Sequence, residues 1–275
     1  MSDIIKATAE LLGQLRSNKP LVHNITNYVT VNDCANVVLA IGASPIMADD
    51  IGEAADITAI SSALVINIGT LNQRTVESML AAGKKANELG IPVVFDPVGA
   101  GASRLRNETA RTILSQVKVS VVRGNMSEIS FIAGLNARSK GVDAAEEDIS
   151  SGDAVQSALA AADMLGCVAA ITGATDVITD GKRIATISNG HKMLSDVTGT
   201  GCMTTALVGS FCGAGRDALV AAVAGIAAMG IAGEIAYENA GDKGTGSFHT
   251  AIIDAISRLD EKILSERARI NETYR

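Results

Sequence analysis

The sequence has no tryptophan, and aromatic residues of all kinds make up only 3% of its 275 positions. Its core must therefore be built from small aliphatic side chains. These permit close helix–sheet approach but bury less apolar area per residue, which makes burial between subunits attractive. Concentrated positive charge is missing too: there is no run of Lys or Arg, and the net charge is −7 with a pI near 5.0. Nucleic acid and anionic membrane both need a basic footprint, so neither is expected as a partner. A phosphate-handling site in such a chain must draw its positive field from backbone N–H groups, a few placed cations or a metal.

Paired cysteines are also absent. Cys34, Cys167, Cys202 and Cys212 form no Cys-x-x-Cys unit and the three histidines are scattered, which argues against a zinc site or a disulfide framework. No Gly-x-x-x-x-Gly-Lys-Ser/Thr loop occurs, no Gly-x-Gly-x-x-Gly follows an N-terminal strand, and no Gly-x-Ser-x-Gly elbow is found. A P-loop enzyme, a dinucleotide dehydrogenase and a serine hydrolase are thereby disfavoured. The opening Met-Ser-Asp-Ile-Ile-Lys lacks the basic and apolar segments of a secretory leader. The longest charge-free apolar stretch, residues 218–233, falls short of the roughly 18–20 needed to span a bilayer. A cytoplasmic location is expected, with no membrane partner.

What is present is ample apolar material, 47% of residues with a mean hydropathy of +0.27, enough for one large domain over residues 1–275. Short β-rich runs at 21–23, 64–68, 93–95, 119–122 and 168–171 alternate with segments of helical periodicity. Asn107 and Asp153 are placed to cap two of those helices. After Thr172, two β-rich runs flank Asp180-Gly181, the signal of a type I′ hairpin. From Thr200 onward the chain reads as helical to a charged tail. The pattern predicts a three-layer α/β fold, a mostly parallel central sheet flanked by helices, with ligands at the carboxyl ends of the strands.

Several motifs fall near such strand ends. Thr198-Gly199-Thr200-Gly201-Cys202 opens a helix. Either its glycines merely start the helix, or they bring backbone close to a ligand while the helix N-terminus points free N–H groups at an anion, as suits phosphoryl transfer. Cys202 lies in the first turn, where the helix dipole should lower its thiol pKa. Asp96 follows a strand and precedes Pro97. It either organises Mg²⁺ and its waters or caps a turn. Asn125-Met-Ser-Glu128 resembles a helix capping box, with a metal-proximal Glu128 as the alternative. Arg123, at the end of an apolar run, suits phosphate. Thr172 follows another strand, where a hydroxyl could contact a nucleotide, but a threonine opening a loop is so common that local evidence favours the ordinary turn residue.

In order along the chain, His23-Asn-Ile-Thr-Asn27, Gly42-Ala-Ser-Pro-Ile-Met-Ala48, Asn67-Ile-Gly-Thr70, Asp96-Pro-Val-Gly-Ala100, Arg123-Gly-Asn-Met-Ser-Glu128, Thr172-Gly173, Thr198-Gly-Thr-Gly-Cys202 and Gly246-Ser-Phe248 together resemble the ribokinase-like superfamily. Within it they resemble the hydroxyethylthiazole kinases of thiamine biosynthesis and salvage, over nearly the whole chain. The resemblance implies ATP-dependent phosphorylation of the primary hydroxyl of 5-(2-hydroxyethyl)-4-methylthiazole with Mg²⁺. It implies that Met47, Gly199 and Asn27 bind the thiazole, that Arg123 and Thr172 bind ATP, and that Asp96 and Glu128 organise the metal. Gly199, Thr200 and Gly201 would form the anion hole. Cys202 stands where the wider superfamily usually has an Asp base, and would assist catalysis rather than drive it. A homotrimer with active sites between subunits is also implied. Two alternatives share the fold: a hydroxymethylpyrimidine kinase, and an ATP-dependent NAD(P)HX dehydratase.

Overall fold

The computed structural model describes residues 2–135 and 151–275. The chain opens with helix α1 (Asp3–Asn18), then strand β1 (Leu21–Ile25), α2 (Val31–Ile41), β2 (Ser44–Ile46) and α3 (Ala54–Ala59). Next come β3 (Ala63–Asn67), α4 (Gln73–Leu89), β4 (Val93–Asp96), α5 (Arg104–Gln116), β5 (Val121–Gly124) and α6 (Met126–Ile132). After α7 (Ser151–Leu165) the chain forms β6 (Val168–Ile171), β7 (Asp176–Thr179) and β8 (Arg183–Ile187). It continues through α8 (Thr200–Ala214), α9 (Ala218–Ala240), α10 (Thr245–Arg258) and α11 (Glu261–Arg267), and closes on β9 (Ile270–Tyr274).

Among the described residues all nine strands join one sheet in the order β2-β1-β3-β4-β5-β6-β7-β8-β9. Pairing is parallel from β2 through β6 and antiparallel from β6 to β9. The chain runs from β1 outward to β2, then returns to the other side of β1 as β3. The order therefore reverses between β1 and β3, and a crevice opens at their carboxyl ends.

The parallel strands are apolar on both faces, as a doubly covered sheet demands; every residue of β3 is buried. Val22, Val65, Val94 and Val121 pack on one side with α1, α2, α8, α9 and α10. Leu64, Ile66, Phe95 and Val122 pack on the other with α4 to α7. The small-residue core takes the expected form in α8 and α9. A β-carbon on Gly225 of α9 would lie 2.6 Å from the backbone nitrogen of Val208 in α8, so the two helices touch main chain to side of main chain. By length α9 could cross a membrane, being longer than the charge-free stretch alone, but 78% of its apolar window is buried inside the fold. It is the central core helix.

Several expectations shift. Asn107 lies inside α5, whose N-cap is Ser103, accepting from Arg106 N–H at 3.3 Å; Asn107 instead accepts from Gly101 N–H at 2.7 Å. Asp153 sits in the first turn of α7 rather than before it. Between β7 and β8 only Gly181 takes a positive φ (88°), whereas a type I′ turn needs two such residues. The strand expected at 119–122 begins and ends later, so Arg123 and Gly124 belong to β5. Two strands, β2 and β9, were not foreseen. They are the two edges of the sheet.

Candidate active site

The carboxyl ends of β1, β3, β4, β5 and β6 and the N-terminus of α8 converge at the crevice. Asn67 is the last residue of β3 and Asp96 the last of β4. Arg123 lies near the end of β5, Thr172 follows β6, and Asn27 lies two residues beyond β1.

Asp96 is 1% exposed. Its Oδ2 accepts from Thr205 Oγ1 at 2.7 Å and from Asn67 Nδ2 at 2.9 Å, with Arg123 Nη1 at 3.9 Å. Its Oδ1 is buried and has no hydrogen-bond partner among the described residues. Burial pushes this carboxyl from the usual 3.8 up to about 6, even though Arg123, Thr205 and Asn67 oppose the shift. Asp176, the first residue of β7, is likewise pushed up by burial to about 7; it accepts from Gly173 N–H at 3.0 Å and also feels Arg123.

Arg123 bridges the two sides of the crevice. Its Nη2 donates to Thr172 Oγ1 at 2.6 Å, and Thr172 in turn lies 3.4 Å from the Gly124 carbonyl. A β-carbon on Gly201 would stand 2.9 Å from Arg123 Nη1, so glycine at this position leaves room for the guanidinium beside the α8 N-terminus. The N-cap of α8 is Gly199, at φ 88°, and its carbonyl takes the first helical bond from Met203 N–H at 2.8 Å. The N–H groups of Thr200, Gly201 and Cys202 precede that bond and have no acceptor within the helix. The Thr200 hydroxyl donates to the Leu194 carbonyl at 3.0 Å and so anchors the turn from behind.

Cys202 receives two side-chain amides, Asn27 Nδ2 at 3.2 Å and Asn67 Nδ2 at 3.3 Å. Its thiol is shifted upward, first by burial and then by the Asp96 charge. This reverses the expected effect of the helix dipole: desolvation and a neighbouring carboxylate outweigh it, and the thiol is neutral near pH 7. Cys34, Cys167 and Cys212 are also pushed up, to about 12, chiefly by burial, in keeping with packed structural thiols.

Glu128 completes a capping box. Its Oε2 accepts from Asn125 N–H at 2.8 Å while Asn125 Oδ1 accepts from Glu128 N–H at 2.9 Å. Oε1 accepts from Gly99 N–H at 2.7 Å and so ties the β4–α5 loop to α6. Its charge also reaches Asp96 and helps raise that carboxyl. Capping and proximity to the acidic site thus coexist in one side chain. Met47, just past β2, is half-buried against the same side of the core as Cys202. Asn27 is 4% exposed, and its Oδ1 accepts from both the N–H and the hydroxyl of Thr30 at 3.1 Å.

Among the described residues no cluster of three or more His, Cys, Asp or Glu forms a metal cage. Mg²⁺ commonly uses one or two carboxylates together with waters and substrate phosphates. The orphaned Asp96 Oδ1 beside Glu128 fits that mode of binding.

Sequence reasoning gave no role to Asn67, Thr205, Asp176 or Arg106. Arg106 donates from Nη1 to the Ile68 carbonyl at 3.0 Å and from Nη2 to the Gly69 carbonyl at 2.7 Å, and it also reaches the Val98 carbonyl. It clamps the loops after β3 and β4 together. Asn67, a polar residue closing the buried strand β3, carried the one legible signal of the four.

A cavity of about 540 Å³ opens elsewhere, at the amino-terminal ends of β4, β5 and β6 between Pro92, Ser120, Cys167 and Arg216. No residue of the site lines it. Position at the strand carboxyl ends and converging polar groups locate the chemistry, whereas cavity size does not.

The hydroxyethylthiazole kinase family profile matches residues 12–262. A hydroxyethylthiazole kinase from Ruminiclostridium cellulolyticum is 72% identical over 272 residues, covering 99% of this chain and 100% of the relative. One from Clostridium beijerinckii is 66% identical, covering 95% and 96%. The solved structure of the hydroxyethylthiazole kinase from Pyrococcus horikoshii superposes with a TM-score of 0.88 at 41% identity, covering 97% and 98% of the two chains.

Proposed function

The chain belongs to the hydroxyethylthiazole kinase family, within the ribokinase-like fold, and from that premise we propose how its own residues transfer the ATP γ-phosphoryl group to the hydroxyl of 5-(2-hydroxyethyl)-4-methylthiazole. The observation that carries the reading is the meeting of an open helix N-terminus, a buried carboxylate and an arginine–threonine pair at one topological crevice.

The N–H groups of Thr200, Gly201 and Cys202, backed by Gly199, cradle the transferring phosphoryl oxygens as charge shifts among them. Arg123 and Thr172 hold the ATP phosphates, their mutual hydrogen bond fixing the guanidinium in place. Met47 and the Gly199 turn face the thiazole, with Asn27 at the rear of that pocket. Cys202, held neutral, orients the alcohol rather than acting as a strong base. Asp96 and Glu128 would hold Mg²⁺ through its water shell, and the ion would supply neutralisation of phosphate charge. Phosphoryl transfer needs positioning and electrostatics more than covalent chemistry, and these groups supply both.

The whole chain acts as one kinase domain and, on this proposal, as a cytoplasmic homotrimer with its sites between subunits. Tyr28 (80% exposed) and Val29 (55%), apolar side chains directly after Asn27, support a neighbouring subunit at the site. The test of the activity is turnover of the thiazole alcohol against hydroxymethylpyrimidine with ATP and Mg²⁺. The thiazole alcohol is expected to be preferred at least about 10²-fold in kcat/KM, and preference for the pyrimidine would overturn the assignment.

A further inference from the structure

The two amides at Cys202 are oriented by the main chain. Asn67 Oδ1 accepts from Gly69 N–H at 2.8 Å and from Asn27 Nδ2 at 3.1 Å. A backbone N–H can only donate, so the amide oxygen must face it and the amide nitrogen must face the other way. That nitrogen has two hydrogens. They meet Asp96 Oδ2 at 2.9 Å and Cys202 Sγ at 3.3 Å. Asn27 obeys the same logic, since the Thr30 N–H fixes its oxygen and leaves its nitrogen for Asn67 Oδ1 and Cys202.

Asn67 is 1% exposed and all four of its hydrogen-bonding positions are filled. The main chain at Gly69 approaches both amides closely: a β-carbon there would stand 2.8 Å from Asn27 Nδ2 and 2.9 Å from Asn67 Oδ1. One side chain thus connects the β1 loop, the end of β3, the carboxylate ending β4 and the first turn of α8.

We propose that Asn67 is a positioning residue for phosphoryl transfer, its two amide hydrogens holding the Cys202 thiol and the Asp96 carboxylate in one fixed arrangement. The inference rests on the kinase reading above and adds a residue to it. With two N–H donors on the sulfur, the thiol proton is left free of both amides. With one of those donors shared with Asp96, sulfur and carboxylate cannot drift apart.

Asn67→Asp makes the test. It keeps the oxygen that Gly69 and Asn27 need and replaces the two donated hydrogens with an acceptor. Asn67→Ala, neutral and smaller, serves as the second variant should the added charge impair folding. Wild-type turnover of the thiazole alcohol checks the kinase reading independently, and iodoacetamide labelling of Cys202, followed by mass spectrometry, reports the sulfur's surroundings. The expected result is a fall in kcat of about 10²-fold, with KM for alcohol and ATP within about threefold, because a small misplacement of reacting groups acts on the transition state. Labelling of the Asn67→Asp protein should slow at least about threefold, because the lost N–H donor and the new carboxylate both disfavour the thiolate that reacts. In a Cys202→Ala background the same substitution should cost at least about tenfold less, since coupled residues are non-additive. A folded variant with kcat within about threefold of wild type would overturn the proposal. So would an undiminished loss in the Cys202→Ala background, which would mean that Asn67 does not act through the thiol.

Discussion

The carboxyl ends of β1, β3, β4 and β5 and the antiparallel edge β7–β9 both depend on polar contacts, but they use them differently. At the crevice the partners are buried: Asp96 with Asn67 and Thr205, Asn67 with Asn27, Arg123 with Thr172. At the edge they are ion pairs with at least partial access to solvent. Arg183 joins Asp180 and Asp217, Arg267 joins Glu238, Arg269 joins Glu234 and Arg275 joins Asp163. Solvent screens the edge pairs, so each adds little and can be lost singly. In the crevice, low dielectric strengthens each contact but also makes an ionised Asp96 costly. Burial of Asp96 opposes its ionisation, while the edge pairs each add a little stability at a distance from the crevice.

Three substitutions would break or sharpen that contrast. The largest effect is expected from Asp96→Asn, which should lower kcat by about 10²–10³-fold, the scale of losing one preorganised electrostatic group. The same change should stabilise the metal-free protein. Burial raises the Asp96 carboxyl from 3.8 to about 6. Its folded form therefore binds a proton more tightly than the unfolded chain does, and wild-type stability falls as pH rises from about 4 to about 6. Asparagine escapes that cost, so denaturant titration at pH 7.5 should show a gain of about 1–3 kcal/mol that disappears near pH 4. Loss of stability at pH 7.5 would show instead that the hydrogen bonds from Asn67 and Thr205 outweigh desolvation.

Arg123→Ala comes next. A charge-assisted contact is worth about 1.5–3 kcal/mol, so KM for ATP should rise about tenfold or more while KM for the alcohol stays within about twofold. Equal losses for both substrates would mean that Arg123 holds the crevice together rather than the nucleotide. The smallest effect belongs to the edge. Arg183→Ala should cost at most about 1 kcal/mol, shrinking further in high salt, with kinetics unchanged. A catalytic defect there would erase the division between the two regions.

The legibility of the sequence follows the same division. The interior parallel strands β1, β3, β4 and β6 announce themselves as apolar runs, because both faces are covered. The two missed strands are edges, where the pattern dissolves. In β2, Ser44-Pro45-Ile46 reads as a turn, yet an edge strand tolerates a proline that offers no N–H. In β9, Ile270-Asn-Glu-Thr-Tyr274 reads as a polar tail because only Ile270 is buried. At the site, the Gly199–Cys202 turn, Asp96 and Arg123 stood out as local motifs, whereas Thr172 gained its role only from the family resemblance. The bonds from Asn67 and Thr205 to Asp96 span 29 and 109 residues of sequence, and no local pattern records them. The Cys202 thiol shift was misread for a related reason: the dipole is visible in a helix start, whereas burial and the neighbouring carboxylate come from elsewhere in the chain.

The close approach of α9 to α8 at Gly225 and Val208 carries one further consequence. Alanine and glycine have essentially no rotamer freedom to lose on folding. A helix pair seated on them is fixed by main-chain geometry, with few side chains able to hop between states. The helix start at the head of α8, which we propose as the phosphate cradle, is therefore mounted on something closer to a rail than a cushion. Thermal motion can shake the loops around it while the donors at Gly199–Cys202 keep their spacing.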